Sequence, residues 1–365
     1  MKISISPHSG AFPINNPQLE EIPVSRPPTS LVSFYAKFVV IAVFFLIFKG
    51  ALVTSNNAGL AVPDWPTTFG HNMFLFPMHL WEGGIFYEHG HRVFASLVGA
   101  LTFGLTVWLY FATSSSLLLG LGITALGLVI VQGLLGGLTV LWQLPDFVSV
   151  AHGMLGQTFF LVIVAIAFGL SKEAHRLNPG VEPEWAYVSQ VSYRVTRLFY
   201  LSFVVLGILY LQLFFGAVTR HAEAGLAIPD FPTMAGKVLP TFDQDMVASA
   251  NDLREELKLP PVNLYQVAFH AMHRIWAIVA IISVIILAAV ALSASELCYI
   301  LARNGMLLVI GIVIQSLLGI AVIMSGRNPW ITSFHVWIGA LVLATTFLMF
   351  LRAGVVSRKL SFSEK

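Results

Sequence analysis

A single cysteine, Cys298, stands among 365 residues. That excludes an intrachain disulfide, a cysteine-ligated iron–sulfur cluster and a cysteine zinc site. Charge is scarce too. Asp, Glu, Lys and Arg make up 10% of the chain, against about 25% in an ordinary soluble domain. With a net charge of +2 and no basic cluster, the sequence gives no sign of a nucleic-acid partner. Residues 1–33 are proline-rich and lack an apolar core of signal-peptide length, so they read as a flexible cytoplasmic tail rather than a cleaved leader.

Hydrophobic residues fill the space that charge leaves, at 57% of the chain. Apolar runs near 34–54, 93–112, 117–142, 148–170, 198–219, 275–293, 299–325 and 335–351 have the length, about 20 residues, that crosses a bilayer core. The expected fold is therefore an all-α integral membrane protein of eight transmembrane helices. Twelve Lys and Arg fall on the side of the N-terminus and seven on the other, so the chain is expected to run N-in and C-in.

The eight spans are two sets of four. Gly59–Pro66 reads GLAVPDWP and Gly225–Pro232 reads GLAIPDFP, an offset of 166. His91-Arg92 recurs as His273-Arg274 at 182, and QGLLG (132–136) as QSLLG (315–319) at 183, the same offset that relates His152 to His335. Such self-similarity marks one structural unit used twice. Because each unit has an even number of spans, the repeat is parallel, with its pseudo-twofold along the membrane normal. The expected organisation is a tail (1–33), an N-terminal four-helix bundle (34–171), a cytoplasmic linker (172–197), a C-terminal four-helix bundle (198–352) and a second tail (353–365). A short helix is expected in the long outer loop, over 243–258.

His91, His152, His273 and His335 all fall near the outer ends of even-numbered spans. One histidine of this kind is equally well a packing contact to a neighbouring helix. Four at duplicated positions suit two bundles that each ligate a haem iron through two imidazoles. Arg92 and Arg274 follow the first ligand of each pair and suit a propionate, or snorkel to lipid phosphate. The repeats differ at one adjacent position: Glu88 precedes His91 by three residues, where His270 precedes His273. Glu88 is thus a buried-carboxylate candidate for acid–base work, or else a cap or partner for Arg92. His270 and His89 are candidates for an assisting role; by register His89 reads as a surface residue.

Glu88-x-x-His91-Arg92, the stretch Gly136-Gly137-Leu138-Thr139 leading through Leu144-Pro145 to His152, the Pro63-Asp64-Trp65-Pro66 loop and the pair His273 and His335 together resemble haem A synthase. The resemblance covers about 34–352. It implies two pseudo-symmetric four-helix bundles and an enzyme of cytochrome oxidase assembly. That enzyme oxidises the C8 methyl of haem O to the formyl group of haem A. Carried over, His91 and His152 hold the substrate haem O, with Arg92 at its propionates. His273 and His335 ligate a haem b cofactor, with Arg274 alongside, and Glu88 is the catalytic carboxylate. The resemblance also implies a bacterial-type cell membrane with the haem sites toward its outer side, haem O synthase and an electron-transfer partner as neighbours, and scope for an oligomer. The chain departs from the family in lacking an outer-loop cysteine pair, in having Thr54 where an arginine is common, and in having Asp146 after Pro145. Two alternatives have other consequences. A quinone-linked di-haem b electron carrier would use the same histidines without needing Glu88, and a transporter would show broken helices with charges at mid-membrane.

Overall fold

A computed structural model describes residues 30–176, 189–293 and 299–363. The tail expected over 1–33 and the middle of the linker (177–188) lie outside the described residues, except that helix has already begun at Ser30. Among the described residues, eight helices are long and apolar enough to cross a membrane. These are α1 (Ser30–Ser55), α2 (Gly83–Ala112), α3 (Ser116–Leu141), α4 (Asp146–Gly169), α6 (Ser189–His221), α8 (Leu264–Leu292), α9 (Tyr299–Met324) and α10 (Pro329–Ser363). Between them lie the short α5 (Lys172–Arg176) and α7 (Gln244–Glu256). The chain is a multi-pass, all-helical membrane protein.

Several boundaries differ from those read in the sequence, and α6 already begins at Ser189, inside the linker expected over 172–197. Hydropathy starts the second and sixth spans at 93 and 275, but α2 and α8 begin about ten residues earlier. The first turns of both fall short of the hydropathy of a span, α2 opening on Gly83-Gly84 and α8 on a polar cap. Asn263 accepts from the Gln266 amide while the Gln266 side chain accepts from the Asn263 amide, a reciprocal cap that fixes the start of α8. The histidines His91 and His273 therefore lie two turns inside their helices. At the other end α10 runs to Ser363, past the boundary expected at 352. Nothing between Arg352 and Ser363 breaks a helix, and the Arg352 charge is met on the spot. Its Nε and Nη2 bind the Glu173 carboxylate at 2.6 and 3.0 Å and its Nη1 donates to Asn304 Oδ1 at 2.6 Å. The expected outer-loop helix is present as α7, capped by Asp243, whose carboxylate accepts from the Met246 amide at 2.8 Å.

In the first half α1 packs on α2 and α4, α2 on α3, and α3 on α4; in the second, α6 packs on α8 and α10, α8 on α9, and α9 on α10. The two sets meet where α1 and α4 touch α10 and where α4 touches α6. Lipid is as apolar as leucine, so burial drives these contacts less than close packing and interhelical hydrogen bonds of about 0.6 kcal/mol each. Tyr35 donates to Leu101 O at 3.0 Å, Trp276 Nε1 to Ile208 O at 2.9 Å and Thr106 to Gly122 O at 2.9 Å. Between the sets, the Trp337 ring stacks on Phe44 at 4.4 Å and its Nε1 donates to Phe44 O at 2.9 Å. Arg220 crosses the same seam, where its Nη2 donates to Ala51 O and, at 3.2 Å, to Ser55 Oγ.

Arg352 ties α10 to both α9 and α5, so its removal leaves Glu173 and Asn304 without their donor. Arg352→Ala is expected to cost about 1–3 kcal/mol, the scale of hydrogen bonds to charged groups. The check is a lowered thermal unfolding midpoint of the purified protein in detergent, with Glu173→Ala giving a smaller shift.

Candidate functional site

Each of the four duplicated histidines lies against a glycine of the preceding transmembrane helix. A β-carbon on Gly50 of α1 would stand 3.1 Å from His91 Cε1, and one on Gly216 of α6 3.0 Å from His273 Cε1. Likewise, a β-carbon on Gly136 of α3 would stand 3.4 Å from His152 Cε1, and one on Gly319 of α9 3.1 Å from His335 Cε1. The imidazoles thus fill the notches that these glycines leave, and in the second half Gln212 also meets His273 while Gln315 Nε2 lies 3.4 Å from His335 Nε2. His273 and His335 face each other with centroids 6.5 Å apart and planes at 82°. That separation accommodates one metal atom between facing nitrogens, at roughly 2.0–2.1 Å from each, an ordinary metal–imidazole bond, plus the two ring radii. His91 and His152 are close enough for their charges to interact.

Polar satisfaction points the same way. Nδ1 of His91, His152 and His335 is buried without a hydrogen-bond partner, a condition that costs about 1–3 kcal/mol per group. His273 differs, because its Nδ1 lies 3.1 Å from Gln212 Nε2. The Gln212 Oε1 is itself buried without a partner. A half-turn of the amide lets it accept from an Nδ1–H and so leaves Nε2 free to ligate. The equivalent of Gln212 in the first half is Leu46. Among the described residues no three His, Cys, Asp or Glu converge on one point; the donors come in pairs, as an axially ligated haem needs.

The repeated Pro-Asp motif builds the outer wall of each site. Asp64 Oδ1 accepts from the Phe69 amide at 2.8 Å and Oδ2 from Gly70 at 2.9 Å and from the Thr67 hydroxyl. Asp230 accepts from Ala235 and Gly236, both at 2.9 Å. Gly70 and Gly236 share φ of 77°, the left-handed region in which glycine carries no penalty. Burial opposes ionisation of Asp64, but the Gly70, Thr67 and Phe69 hydrogen bonds outweigh it and hold the carboxyl below its ordinary value; Asp230 is held down in the same way.

Arg92 and Arg274 grip these loops. Arg92 Nη1 donates to Asp64 O at 2.6 Å and to Thr67 O at 3.3 Å, and its Nη2 to Val62 O at 2.8 Å and to Glu88 Oε1 at 2.5 Å. Arg274 Nη1 donates to Asp230 O at 3.0 Å, and its Nη2 to Pro232 O at 3.2 Å and Thr233 O at 2.8 Å. The terminal nitrogens expected to meet propionates are therefore engaged with loop carbonyls.

Glu88 is buried, with 4% of its surface exposed. Its Oε2 accepts from the Val62 amide at 2.7 Å. In the second half His270 Nδ1 accepts from the Ile228 amide at 3.1 Å, and Ile228 is the repeat partner of Val62. Carboxylate and imidazole thus anchor the same loop amide in the two halves. The sequence contrast between them is a contrast of charge, while the anchoring role is common to both. His89, read as a surface residue, is fully buried. It lies on the side of α2 turned toward the loop, with Nδ1 3.0 Å from Thr68 Oγ1 and its ring against Trp81 and Phe76.

Residues 33–347 match the family described as "Cytochrome oxidase assembly protein". The chain belongs to that family. Among its relatives are proteins named "Heme A synthase". That of Staphylococcus haemolyticus is 27% identical over 57% of this chain and 64% of its own length. The protein of Alkalihalophilus pseudofirmus is 28% identical over 57% and 66%, and that of Symbiobacterium thermophilum 31% over 52% and 60%. The chain thus spans a little under two thirds of these relatives.

The clamped loop carries a pH expectation. Asp64 titrates below its unfolded value, so its contribution is complete above about pH 3.9 and is lost as pH falls through the lower folded value. Limited proteolysis of the 59–70 loop should show protection holding at pH 5. Asp64→Asn should be cut readily at neutral pH.

Proposed function

We propose that this chain is a haem A synthase, oxidising the C8 methyl of haem O to a formyl group for terminal oxidase assembly. The observation that carries the reading is the duplicated set of half-buried imidazoles, each seated on a glycine, with His273 and His335 at a separation that fits one metal atom. Family membership and the names of the relatives support it. In this reading the helix sets α1–α4 and α6–α10 are two pseudo-symmetric bundles. His91 and His152 hold the substrate haem O in the first, and His273 and His335 hold a haem b in the second.

Gln212 supports that choice of halves. A hydrogen bond to Nδ1 fixes the tautomer of a ligating histidine and raises its basicity, which suits a resident cofactor. His91 has Leu46 in the equivalent place and no such restraint, which suits a haem that enters as substrate and leaves as product. Haem supplies the one-electron chemistry; the chain supplies position and protons. Arg92 and Arg274 act chiefly by closing the Pro-Asp loops over the outer edge of each site, with only Nε left for a propionate. Glu88 is the one carboxylate buried beside a ligand histidine, and release of its Oε1 from Arg92 would free it to take or give a proton near the reacting methyl. The protein is proposed to lie in a bacterial-type cell membrane, N-in and C-in, with both sites toward the outer side. Haem O synthase would be the source of its substrate.

His273→Ala or His335→Ala should abolish the low-spin haem b spectrum while leaving inserted protein. His91→Ala or His152→Ala should stop haem A formation and spare haem b. The reverse pattern would exchange the roles of the halves.

Glu88→Gln keeps the acceptor for the Val62 amide but cannot exchange a proton as a carboxylate does. It should bind both haems, keep the 59–70 loop protected from protease, and accumulate haem O or a partly oxidised product with turnover down about 10²–10⁴-fold. Wild-type turnover would reduce Glu88 to a loop anchor and revive the electron-carrier reading.

A further inference from the structure

One large cavity among the described residues belongs to neither pair of histidines. It is a groove of about 1280 Å³ where α4 and α6 meet, with walls completed by α8 and α10. On α6 it runs from Phe203 to Val218, roughly 22 Å along the helix at about 1.5 Å per residue. Helix geometry separates it from the haem sites. Taking Phe147 as zero at about 100° per residue, the groove residues Ala151 and Met154 fall near 40° and 340°, and His152 near 140°. On α6, Gly207, Tyr210 and Phe214 lie within about 40° of Phe203, whereas Gly216, the seat of His273, lies near 220°. The groove is therefore on the outside of both sites, in the seam between them.

Its chemistry narrows the occupant. The body is lined by aliphatic and aromatic side chains, and the volume exceeds the roughly 300–1,000 Å³ of an ordinary small-molecule pocket, so the ligand is long and apolar. Its polar groups are concentrated at the outer end, where Asp146 and Tyr265 stand at the starts of α4 and α8. Glu223 is near enough to Asp146 for the two charges to repel. Among the described residues lining the groove there is no lysine, arginine or histidine. An anionic head, whether the phosphate of a lipid or the propionates of a haem, would meet the Asp146 carboxylate and no lining cation there. A neutral head that donates hydroxyls to a carboxylate and accepts from a phenol suits the same end.

We propose that this groove binds a membrane quinone, its ring between Asp146 and Tyr265 and its isoprenoid tail along α6. The site would give the redox reaction its electron-transfer partner within the bilayer. That role rests on the function proposed above, but the binding does not.

Gly207 offers the test, because nothing lies within 4 Å of a β-carbon placed there and a large side chain can project into the groove without displacing a helix. The full chain in nanodiscs, with its native haem, is labelled with a photoreactive azidoquinone bearing a short isoprenoid tail, and the adducts are mapped by mass spectrometry. Labels are expected on the groove faces of α4, α6 and α8, competed by unlabelled quinone but not by phospholipid of equal chain length. Gly207→Trp should lower labelling at least tenfold and Gly207→Ala should leave it near wild type, both with unchanged haem content and unfolding temperature. With the probe reduced to its quinol, the form whose hydroxyls can donate to a carboxylate, Asp146→Asn should weaken labelling severalfold. Equal labelling of Gly207→Trp, adducts confined to other surfaces, or equal competition by phospholipid would each overturn the proposal; the last would make the groove a lipid crevice. None of these readouts depends on haem A formation, so a failed site and a failed enzyme assignment are distinguished.

Discussion

An imidazole enclosed by apolar helices has two ring nitrogens to satisfy and little nearby to satisfy them. Four such rings in one chain would be a heavy burden on stability, and the surrounding structure is arranged to hold them nonetheless. Each sits on a glycine of the adjacent helix, so the helix pairs α1–α2, α3–α4, α6–α8 and α9–α10 close tightly at the depth of the histidines. The register of the glycines and the close approach of those helices together fix the four rings in place.

The second layer of the structure is polar and lies just outside the first. In each half one aspartate folds the loop, one arginine grips its carbonyls, and one residue three places before the histidine holds a loop amide. This arrangement turns the polar loop inward at the mouth of an apolar bundle without leaving its backbone groups unpaired. It also explains why the motif is duplicated so closely: the loop and the helix carrying the histidine are one unit. Within that shared frame the halves diverge in two substitutions that bear on chemistry. Glu88 brings a charge where His270 brings none, and Gln212 steadies a histidine where Leu46 cannot.

Much of this was legible in the sequence. Apolar runs located eight helices because bilayer thickness sets their length, and the offsets of 182 and 183 located the histidines because a repeat preserves geometry. Gly50 and Gly216 share the offset of 166, and Gly136 and Gly319 that of 183, so the glycine seats were visible to anyone asking what a duplicated histidine packs against. Other features were hidden. Hydropathy places the starts of α2 and α8 too late, since it marks down the glycines and polar residues of their first turns, which in α8 a reciprocal cap absorbs. Arg92 beside a histidine suggests an anion, and only three dimensions show the loop carbonyls that take its terminal nitrogens. Glu88 and His270 look unlike in sequence because a one-letter comparison registers charge and not the amide that both accept. His89 was misplaced because register along a helix gives direction without saying whether a loop covers that side.

The central claim is that the two histidine pairs serve two different haems, one resident and one transformed. The most direct measurement is the identity and stoichiometry of the haems that co-purify with the protein, by mass and pyridine haemochrome spectrum, when it is expressed with a supply of haem O. One equivalent of haem b together with haem O, haem A or an intermediate oxidised at the C8 methyl is the predicted result. Two equivalents of haem b, with no haem O or its products, would contradict it.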